Sequence, residues 1–347
     1  MTAPIPVPDI LTRCRQSIDP VLATAVETLS PELSQIARYH LGWSDAEGRP
    51  VAAPGGKGIR PALALLGTQA VGAAAEVGIP GGVAVELVHN YSLIIDDVID
   101  LDTERHHRPT VWTLFGVSHA IIAGDALQVL AHQVLLDPPS EIGAAASASL
   151  AAATTTMIAG QSEDIAFERR RDISIDQCVA MSSSKTGALL GCAASIGAIL
   201  ADAPTEAVAA LRDYGQLLGL AFQAVDDLLG IWGDPARTGK PQGSDLRQRK
   251  KSMPIVYALG ADGPEAEELR SIILGPVETA DSRPSLSAGE VARATRLIEA
   301  IGAREWTVTE AKSNLDAALG ALERVPLTAD AHRELADLAV FVVEREA

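Results

Sequence analysis

The chain has 347 residues, a hydrophobic content of 47%, only 3% aromatic residues and a formal net charge of −17 at pH 7. The acidic excess argues against binding to nucleic acid or to an anionic membrane surface. It does not exclude an anionic substrate, because local cations or a bound metal can reverse the field inside a cleft. The three cysteines match neither a disulfide framework nor a zinc site, so we expect a reducing, cytoplasmic setting.

The start of the chain and its apolar runs carry no clear targeting or membrane signal. Residues 1–8 are rich in proline and lack the basic start and long apolar core of a signal peptide, and we expect them to be disordered. The longest run of small and apolar residues, from Thr186 to Ala201, is short for a bilayer span. The sequence therefore predicts no membrane span.

Alanine and leucine, both good helix formers, are abundant, and no strand-like alternation is present. In chain order we expect helices from Ile10 towards His40, a loop over 48–58, successive apolar helices over 61–261, a capping box at Ser287 and Glu290, and a last helix from Thr328 to Arg345. These elements predict one all-α domain over residues 1–347, a bundle of many antiparallel helices around a central cavity.

The loop before the apolar helices contains two cations in the run Gly-Gly-Lys-Gly-Ile-Arg-Pro. Lys57 and Arg60 lie three residues apart after a flexible turn, which is a plausible but weak phosphate-binding pattern. The order of glycines and lysine is not that of a P-loop.

The first acidic cluster lies within an apolar helical stretch. His89, Leu93, Asp96 and Asp100 fall on one stripe of a helix from Gly82 to Asp100, with His89 roughly 10 Å from Asp96. Asp97 points about 100° away, which suggests a supporting role. Carboxylates in an apolar run are costly unless a cation neutralises them, so we expect a hard divalent ion such as magnesium. The alternative is an amphipathic helix with solvated carboxylates.

A basic stretch follows this helix. Arg105 and His106 could contact phosphate oxygens, since arginine binds them through a planar fork. Taken alone, the stretch is more typical of a solvated turn.

The second acidic cluster has the sequence Phe-Gln-Ala-Val-Asp-Asp-Leu-Leu-Gly. Gln223 and Asp227 are four residues apart, with Asp226 on nearly the same face. Gly230 stands where a further turn of the stripe would begin, so no third carboxylate extends it. Gly215 and Gly219, one turn apart, indicate close helix packing.

Two further stretches supply cations. Lys185, followed by Thr186, lies at the start of an otherwise apolar helix, where a buried lysine would need an anion. Lys240 and Lys250 lie in a cationic segment after the second acidic cluster. That segment is suited to a lid over a phosphate, and a wetted surface loop is the alternative.

Together these residues resemble a trans-prenyl diphosphate synthase, with the resemblance strongest over residues 50–258. It rests on the ordered set Gly-Gly-Lys-x-x-Arg-Pro, His89 with Asp96-Asp97-x-x-Asp100, Arg105-x-x-Arg108-Pro-Thr, Gly160-Gln161-x-x-Asp164, Lys185-Thr186, Phe222-Gln223-x-x-Asp226-Asp227 and Gly239-Lys240 with Asp245-Leu246 and Lys250. The resemblance implies an isoprenoid synthase fold, usually as a homodimer.

The resemblance also implies roles for individual residues. Asp96, Asp100 and Asp226 would ligate magnesium, three ions per active site, with Asp97 and Asp227 in support. The allylic diphosphate would be held by Arg105, Lys185, Gln223, Lys240 and Lys250, and isopentenyl diphosphate by Lys57, Arg60 and His89, with His106 at the same side. Lys185, Thr186 and Gln223 would also face the reacting carbon.

Three positions depart from the commonest family pattern. Gly58 follows the lysine where a second basic residue often stands, His106 replaces a second arginine, and Gly230 replaces the last aspartate of the second motif. Weaker binding of isopentenyl diphosphate is what a cyclase would show. We nevertheless interpret all three departures as tolerated variation, because Lys57, Arg60 and His89 remain.

Three functions remain possible on this scaffold. A synthase that extends allylic diphosphates is favoured, because a terpene cyclase commonly uses aromatic walls and this chain has few aromatic residues. Intact Asp96, Asp97 and Asp100 argue against a non-catalytic subunit of a heteromeric synthase. By resemblance, Tyr91 and Ser92 would floor the pocket, which suggests a twenty-carbon product, geranylgeranyl diphosphate, with fifteen-carbon farnesyl diphosphate as the alternative.

Overall fold

The computed structural model describes residues 9–51, 58–234, 241–275 and 285–344. The first half comprises α1 Asp9–Glu27, α2 Pro31–His40, α3 Ile59–Ala70, a 3₁₀ turn Ala75–Gly78, α4 Ile79–Ile99, β1 Glu104–Arg105, β2 Arg108–Pro109, α5 Val111–Phe115, α6 Val117–Leu135 and α7 Glu141–Arg169. The second half comprises α8 Ile175–Ser182, a π-helical turn Ser183–Gly187, α9 Ala188–Leu200, α10 Thr205–Trp232, α11 Ser244–Gln248, α12 Met253–Gly260, α13 Pro264–Leu274, α14 Ala288–Ala300, α15 Ala303–Leu322 and α16 Ala329–Glu344.

The predicted all-α architecture is confirmed. The described residues include almost no strand, and the one small sheet is the antiparallel pair β1–β2, which the sequence did not predict. The prediction of a single domain over 1–347 stays a prediction, and residues 1–8 lie outside the described residues. The bundle buries one extended hydrophobic core, and a smaller apolar cluster joins the end of α10 to α12, α13 and α14.

Helix α10 is central to the bundle, packing against α9 on one side and α15 on the other. Glycines allow the approach to α9. A β-carbon at Gly215 would lie 2.3 Å from the carbonyl oxygen of Leu190, and one at Gly219 would lie 2.7 Å from the Cα of Gly187. The close packing predicted for this glycine pair is confirmed, and it brings the second acidic cluster against the helix that follows Lys185.

The predicted helices are present among the described residues with small shifts of boundary, whereas the predicted loop over 48–58 lies mostly outside those residues. The long N-terminal helix is divided into α1 and α2, and the last helix is Ala329–Glu344. The capping box opening α14 is present, because Glu290 and Ser287 exchange hydrogen bonds between side chain and backbone. No pattern indicated the π-helical turn at Ser183–Gly187.

Two helical segments among the described residues are long and apolar enough to cross a membrane by length and composition alone, Glu141–Arg169 and Ile175–Leu200. The apolar run from Thr186 thus continues a longer helical segment than the sequence indicated. The most apolar 18 residues of that segment are 67% buried, as expected for a core helix, whereas those of α7 are only 28% buried. Such helices are weak evidence for a membrane span.

Candidate active site

Helix α4 presents its carboxylates to two different pockets. Asp96 is half-buried and lines a cavity together with His89 and Leu93, as the helical spacing predicts. Asp97 points away from that cavity and is 2% exposed. Its Oδ1 accepts a hydrogen bond from Arg105 Nε at 2.9 Å and lies 2.8 Å from Arg105 Nη2. Asp100 lies just beyond the end of the helix and is exposed. The adjacent carboxylates therefore have different surroundings and cannot play the same part.

The second acidic cluster faces the first across the same cavity. Asp226 on α10 is exposed to this space, whereas Asp227 is buried. Asp227 accepts hydrogen bonds from Gln223 Nε2 and from the backbone N–H of Met253, both at 2.8 Å. Held in this way, Asp227 supports the helix end, and Asp226 is the carboxylate of the pair that lines the cavity.

A short chain of hydrogen bonds links the π-helical turn to α10. The Thr186 hydroxyl donates to Gln223 Oε1 at 2.7 Å, and the amide of Gln223 donates in turn to Asp227. Lys185 and Thr186 both line the cavity because the turn widens there, as π-helical turns often do at functional sites. Gly160 on α7 permits this, since a β-carbon there would lie 2.4 Å from the Lys185 backbone nitrogen.

Cations lie around the mouth of the cavity. Lys185 Nζ is 2.6 Å from Asp164 Oδ2, and Lys250 Nζ is 3.8 Å from Asp100 Oδ2. Arg60 also lines the cavity, and its Nε is buried without a hydrogen-bond partner. Lys57 and Lys240, both predicted to bind diphosphate, lie outside the described residues.

Below this polar rim the cavity is apolar. It encloses about 400 Å³, and its walls include Ile95, Met157, Leu189 and Phe222. Tyr91 and Ser92, the residues predicted to limit product length, also line it. The Tyr91 ring is braced by α6, because a β-carbon at Gly124 would lie 3.3 Å from Tyr91 Cδ2. The arrangement can hold a charged head group at the rim and a hydrocarbon chain below.

Burial disfavours the ionised form of several carboxylates at the site, and a divalent cation would favour it. Burial, assisted by the nearby charge of Asp100, raises the pKa of Asp96 to about 6 despite the opposing charge of Lys185. Burial raises the pKa of Asp227 to about 8, and Oδ2 of Asp97 is buried without a hydrogen-bond partner. Oxygen donors of this kind fit magnesium.

No three His, Cys, Asp or Glu side chains within the described ranges form a closed metal-binding cluster. This finding is compatible with magnesium, which is commonly held by one or two carboxylates while water and substrate phosphates complete its shell.

A second pocket adjoins the cavity and shares His89 and Leu93 with it. Arg105 and His106 line this second pocket together with His89, and the expected contact of Arg105 with the allylic diphosphate stays a prediction. The Gly58 departure has a local reason, since this residue has φ 68°, where glycine is favoured.

Arg108, the second arginine of the basic motif, is used structurally. Its guanidinium donates to the carbonyl oxygens of Tyr39 and Ser44 at 3.0 and 2.7 Å, and it lies 4.3 Å above the Tyr39 ring. These contacts attach the β1–β2 hairpin to α2.

Sequence reasoning missed two polar groups at these pockets. Gln161 was part of a motif without an assigned role, and its Oε1 is buried at the cavity without a hydrogen-bond partner. His40, at the end of α2, lines the second pocket and carried no sequence signal. Burial and the neighbouring charge of Arg105 lower the pKa of His40 to about 3.

His40 should make the fold sensitive to acid. Its folded-state pKa of about 3 lies below the ordinary value of 6.5, so the unfolded state binds more protons as the pH falls between these values. The stability that neutral His40 contributes is therefore fully present above pH 6.5 and is lost progressively as the pH falls below that value. Between pH 7 and pH 5, the unfolding free energy of His40→Gln should fall by about 1–2 kcal/mol less than that of the wild type. Urea denaturation at each pH measures this difference.

The control is His119→Gln, because His119 is exposed and paired with Glu32 at the surface. A reduced pH dependence in the His40 variant that the control does not share supports the assignment to His40. Identical pH dependence in the His40 variant would contradict the assignment of acid sensitivity to this side chain.

The geometry agrees with the similarity of this chain to known proteins. The sequence profile of the family described as polyprenyl synthetase matches residues 45–285. The chain belongs to the polyprenyl synthetase family. Its predicted activity class, prenyl transfer, is thereby confirmed, as is the isoprenoid synthase fold.

Relatives of this polyprenyl synthetase family member include two proteins of Mycobacterium tuberculosis. One, named (2E,6E)-farnesyl diphosphate synthase, is 44% identical over 97% of this chain and 93% of its own length. The other, named geranylgeranyl diphosphate synthase, is 39% identical over 90% and 88%. The crystal structure of a polyprenyl synthetase from Streptomyces coelicolor A3(2) superposes with a TM-score of 0.91, at 47% identity over 97% of this chain and 100% of that one.

Proposed function

We propose that this protein condenses isopentenyl diphosphate with an allylic diphosphate to make a short all-trans prenyl diphosphate. The observation that carries the proposal is the cavity itself, where Asp96 and Asp226 face each other from two helices above an apolar interior. Lys185, Thr186 and Gln223 complete the rim. This combination suits a substrate with a diphosphate head and a hydrocarbon tail.

The side chains at the rim have distinct parts in this reaction. Asp96, Asp100 and Asp226 would hold magnesium, three ions with the substrate diphosphate, and Asp97 and Asp227 would support them. When bound, magnesium would neutralise charge on the departing pyrophosphate. Lys185 and Lys250, with Lys240 and Arg105, would bind and orient the allylic diphosphate.

The transfer itself needs a dry and well-oriented site. The allylic carbon–oxygen bond breaks, the isopentenyl double bond attacks the resulting allylic cation, and the proton lost at the end passes to pyrophosphate. Thr186 and Gln223 would face the reacting carbon, while the apolar walls exclude water that would otherwise capture the cation. Arg60, His89 and His106, with Lys57, would hold isopentenyl diphosphate.

One incubation separates the possible functions. Purified protein is supplied with Mg²⁺, labelled isopentenyl diphosphate and an allylic primer of five, ten or fifteen carbons. Labelled longer diphosphates support the proposal. Hydrocarbon formed from farnesyl or geranylgeranyl diphosphate alone would identify a terpene cyclase, and inactivity until a second subunit is added would identify a partner subunit. Among the described residues that line the cavity, the aromatic ones are Tyr91 and Phe222, which argues against a cyclase.

For product length, we propose geranylgeranyl diphosphate, with farnesyl diphosphate as the second candidate. The bulky Tyr91 beside the small Ser92 supports twenty carbons, because both line the cavity that accepts the growing chain. Farnesyl diphosphate is favoured by the relative that is 44% identical and carries that name. Chromatography of the dephosphorylated products of the incubation decides between them.

Truncation of Tyr91 should lengthen the product. Tyr91→Ala removes the ring that Gly124 braces and opens the cavity towards α6, so we expect at least one additional five-carbon unit. The matched control, Tyr91→Phe, keeps the ring and should leave the product length unchanged. An unchanged product length in Tyr91→Ala would show that Tyr91 does not form the end of the cavity.

We also propose a homodimer, whose interface would include α6. Large apolar side chains of this helix are exposed, among them Ile122 at 52% and Val129 at 59%, and the neighbouring helix α7 is mostly unburied. A second copy would cover this surface, and light scattering would measure twice the 36.2 kDa mass of the chain. The three buried, unpaired cysteines support a cytoplasmic location.

A further inference from the structure

The short helix α11 ends in a backbone conformation that glycine usually provides. Arg249 follows the helix with φ 56° and ψ 33°, in the left-handed region that residues with a β-carbon seldom adopt. Its N–H donates to the Leu246 carbonyl oxygen at 2.9 Å. The N–H of the next residue, Lys250, donates to the Asp245 carbonyl oxygen at 2.9 Å, which completes a Schellman motif. Arginine is strained at this position where glycine would not be, so its side chain needs an explanation.

The Arg249 guanidinium binds the carboxyl end of a different helix. Its Nη1 donates to the carbonyl oxygens of Ile272 and Ile273, at 2.6 and 2.9 Å, in the last turn of α13. The last carbonyl groups of a helix lack partners within that helix and carry a partial negative charge, so a cation is favoured there. The contact therefore stabilises both the end of α13 and the strained backbone of Arg249.

A second arginine binds the same helix end from another part of the chain. Arg171, in the loop between α7 and α8, donates to the carbonyl oxygens of Leu274 and Gly275. Of the two arginines, Arg249 alone is adjacent in the chain to a residue at the rim of the cavity, Lys250. The pair thus separates two possible roles, the capping of α13 and the placement of Lys250.

The first turn of α11 is fixed independently of Arg249. The Ser244 hydroxyl donates to the Gly230 carbonyl oxygen at 3.3 Å, and Leu246 is fully buried in the smaller apolar cluster. Gly230 leaves room for the Asp245 side chain, because a β-carbon at position 230 would lie 2.2 Å from Asp245 Oδ2. Loss of the Arg249 contact should therefore release the end of α11 and leave its start in place.

Lys250 lies between two backbone anchors. Its side chain is 43% exposed, with Nζ 3.8 Å from Asp100 Oδ2, whereas the following residue, Lys251, is buried. The Lys251 carbonyl oxygen accepts a hydrogen bond from the Cys178 thiol of α8 at 3.3 Å. Arg249 supplies the anchor on the other side of Lys250, through its contact with α13.

We propose that Arg249 is a positioning residue for Lys250: its contact with the end of α13 holds the backbone so that the lysine ammonium stays at the rim of the cavity. The inference rests on the proposed function, because it takes Lys250 to bind the substrate diphosphate. A lysine whose backbone is already held loses less conformational entropy when the diphosphate binds, so the contact strengthens binding without touching the substrate.

A matched pair of arginine variants tests the proposal. Arg249→Asn removes the guanidinium and keeps a residue that tolerates the left-handed conformation. Arg171→Asn makes the same chemical change at the same helix end and is the control. Lys250→Met removes the cation itself, and the double variant Arg249→Asn with Lys250→Met measures the coupling.

Three readouts are compared with the wild type. Calorimetry gives the Kd for inorganic pyrophosphate in the presence of Mg²⁺. Amide hydrogen exchange of the ligand-free protein measures the order of residues 245–252. Steady-state prenyl transfer gives kcat and KM for the allylic diphosphate.

Arg249→Asn should weaken pyrophosphate binding about five- to tenfold, and the amides of Lys250 and Lys251 should exchange faster. KM for the allylic diphosphate should rise by a similar factor, with a smaller change in kcat. Arg171→Asn should lower the unfolding temperature by a few degrees, as Arg249→Asn does, and leave binding within about twofold of the wild type. In the Lys250→Met background, Arg249→Asn should weaken binding no further, because it acts through the lysine.

Wild-type pyrophosphate binding in Arg249→Asn, equal weakening by Arg171→Asn, or an additive loss in the double variant would overturn the proposal and leave Arg249 as a cap of α13. Should Arg249→Asn not fold, Arg249→Lys decides by the same criteria, because it keeps a cation but loses the planar fork. Failure of the proposed function is distinguishable: the wild type would then make no prenyl diphosphate, whereas hydrogen exchange would still report whether Arg249 orders Lys250.

Discussion

Replacing Asp96 by alanine is expected to lower kcat by about 10³-fold or more while the protein remains folded. Asp96 is the carboxylate of α4 that lines the cavity opposite Asp226, so its loss removes one of the oxygen donors proposed to hold magnesium. Steady-state rates of isopentenyl transfer at saturating substrates and Mg²⁺ measure the effect.

The stability of the same variant separates a catalytic defect from a folding defect. Burial raises the pKa of Asp96 to about 6, which means that keeping this carboxylate ionised at pH 7 costs folding free energy in the metal-free protein. Asp96→Ala should therefore unfold at the wild-type temperature or a few degrees above it, without Mg²⁺. Asp316→Asn, an exposed site on α15, is the control and should change neither quantity. Near-normal turnover in Asp96→Ala would refute the metal assignment.

Replacing Lys185 by methionine should lower kcat/KM for the allylic substrate by about 10²- to 10³-fold. Lys185 lines the cavity and lies 2.6 Å from Asp164, and its charge opposes the raised pKa of Asp96. Methionine keeps most of the length of the side chain but removes the cation, so both diphosphate binding and the ionisation of Asp96 become less favourable.

Two variants serve as comparisons for Lys185→Met. Lys185→Arg keeps the charge and should retain more activity than the methionine variant, and Lys312→Met on α15 changes an exposed lysine far from the rim. Equal activity of the arginine and methionine variants would show that the charge of Lys185 has no part in the reaction. Titration of the allylic substrate gives kcat and KM for each variant.

Helical spacing predicted the part of the site that lies along single helices. Asp96 and His89 share a stripe on α4, and Asp97 points to the other pocket, because the period of 3.6 residues determines both directions. The glycine pair on α10 likewise indicated its close contact with α9. Such features follow from local geometry, which a sequence displays directly.

Features that depend on contacts between distant segments were not predictable in this way. The Asp245 carboxylate reaches Gly230 only because a left-handed Gly243 and a buried Leu246 position α11. His40 meets the second pocket through the packing of α2 beside the β1–β2 hairpin, and nothing in its neighbouring residues indicates this. Periodicity contains no information about such long-range placement.

The π-helical turn is a third feature of this kind. Ser183–Gly187 lies within a run that is typical of a regular helix, and the turn brings Lys185 and Thr186 together at the cavity. Gly160 on another helix makes room for it, so the signal was present in the sequence but 25 residues before Lys185. Only the packed structure connects the two positions.

The most direct test of the shared magnesium site is the rate of isopentenyl transfer by the wild-type protein as free Mg²⁺ is varied over several decades. With excess chelator the wild-type rate should fall to background, and added Mg²⁺ should restore it fully. The rates of Asp226→Ala and Asp96→Ala should not recover at any Mg²⁺ concentration tested. Full activity in the chelator would contradict the assignment of Asp96, Asp100 and Asp226 to a metal that binds the substrate diphosphate.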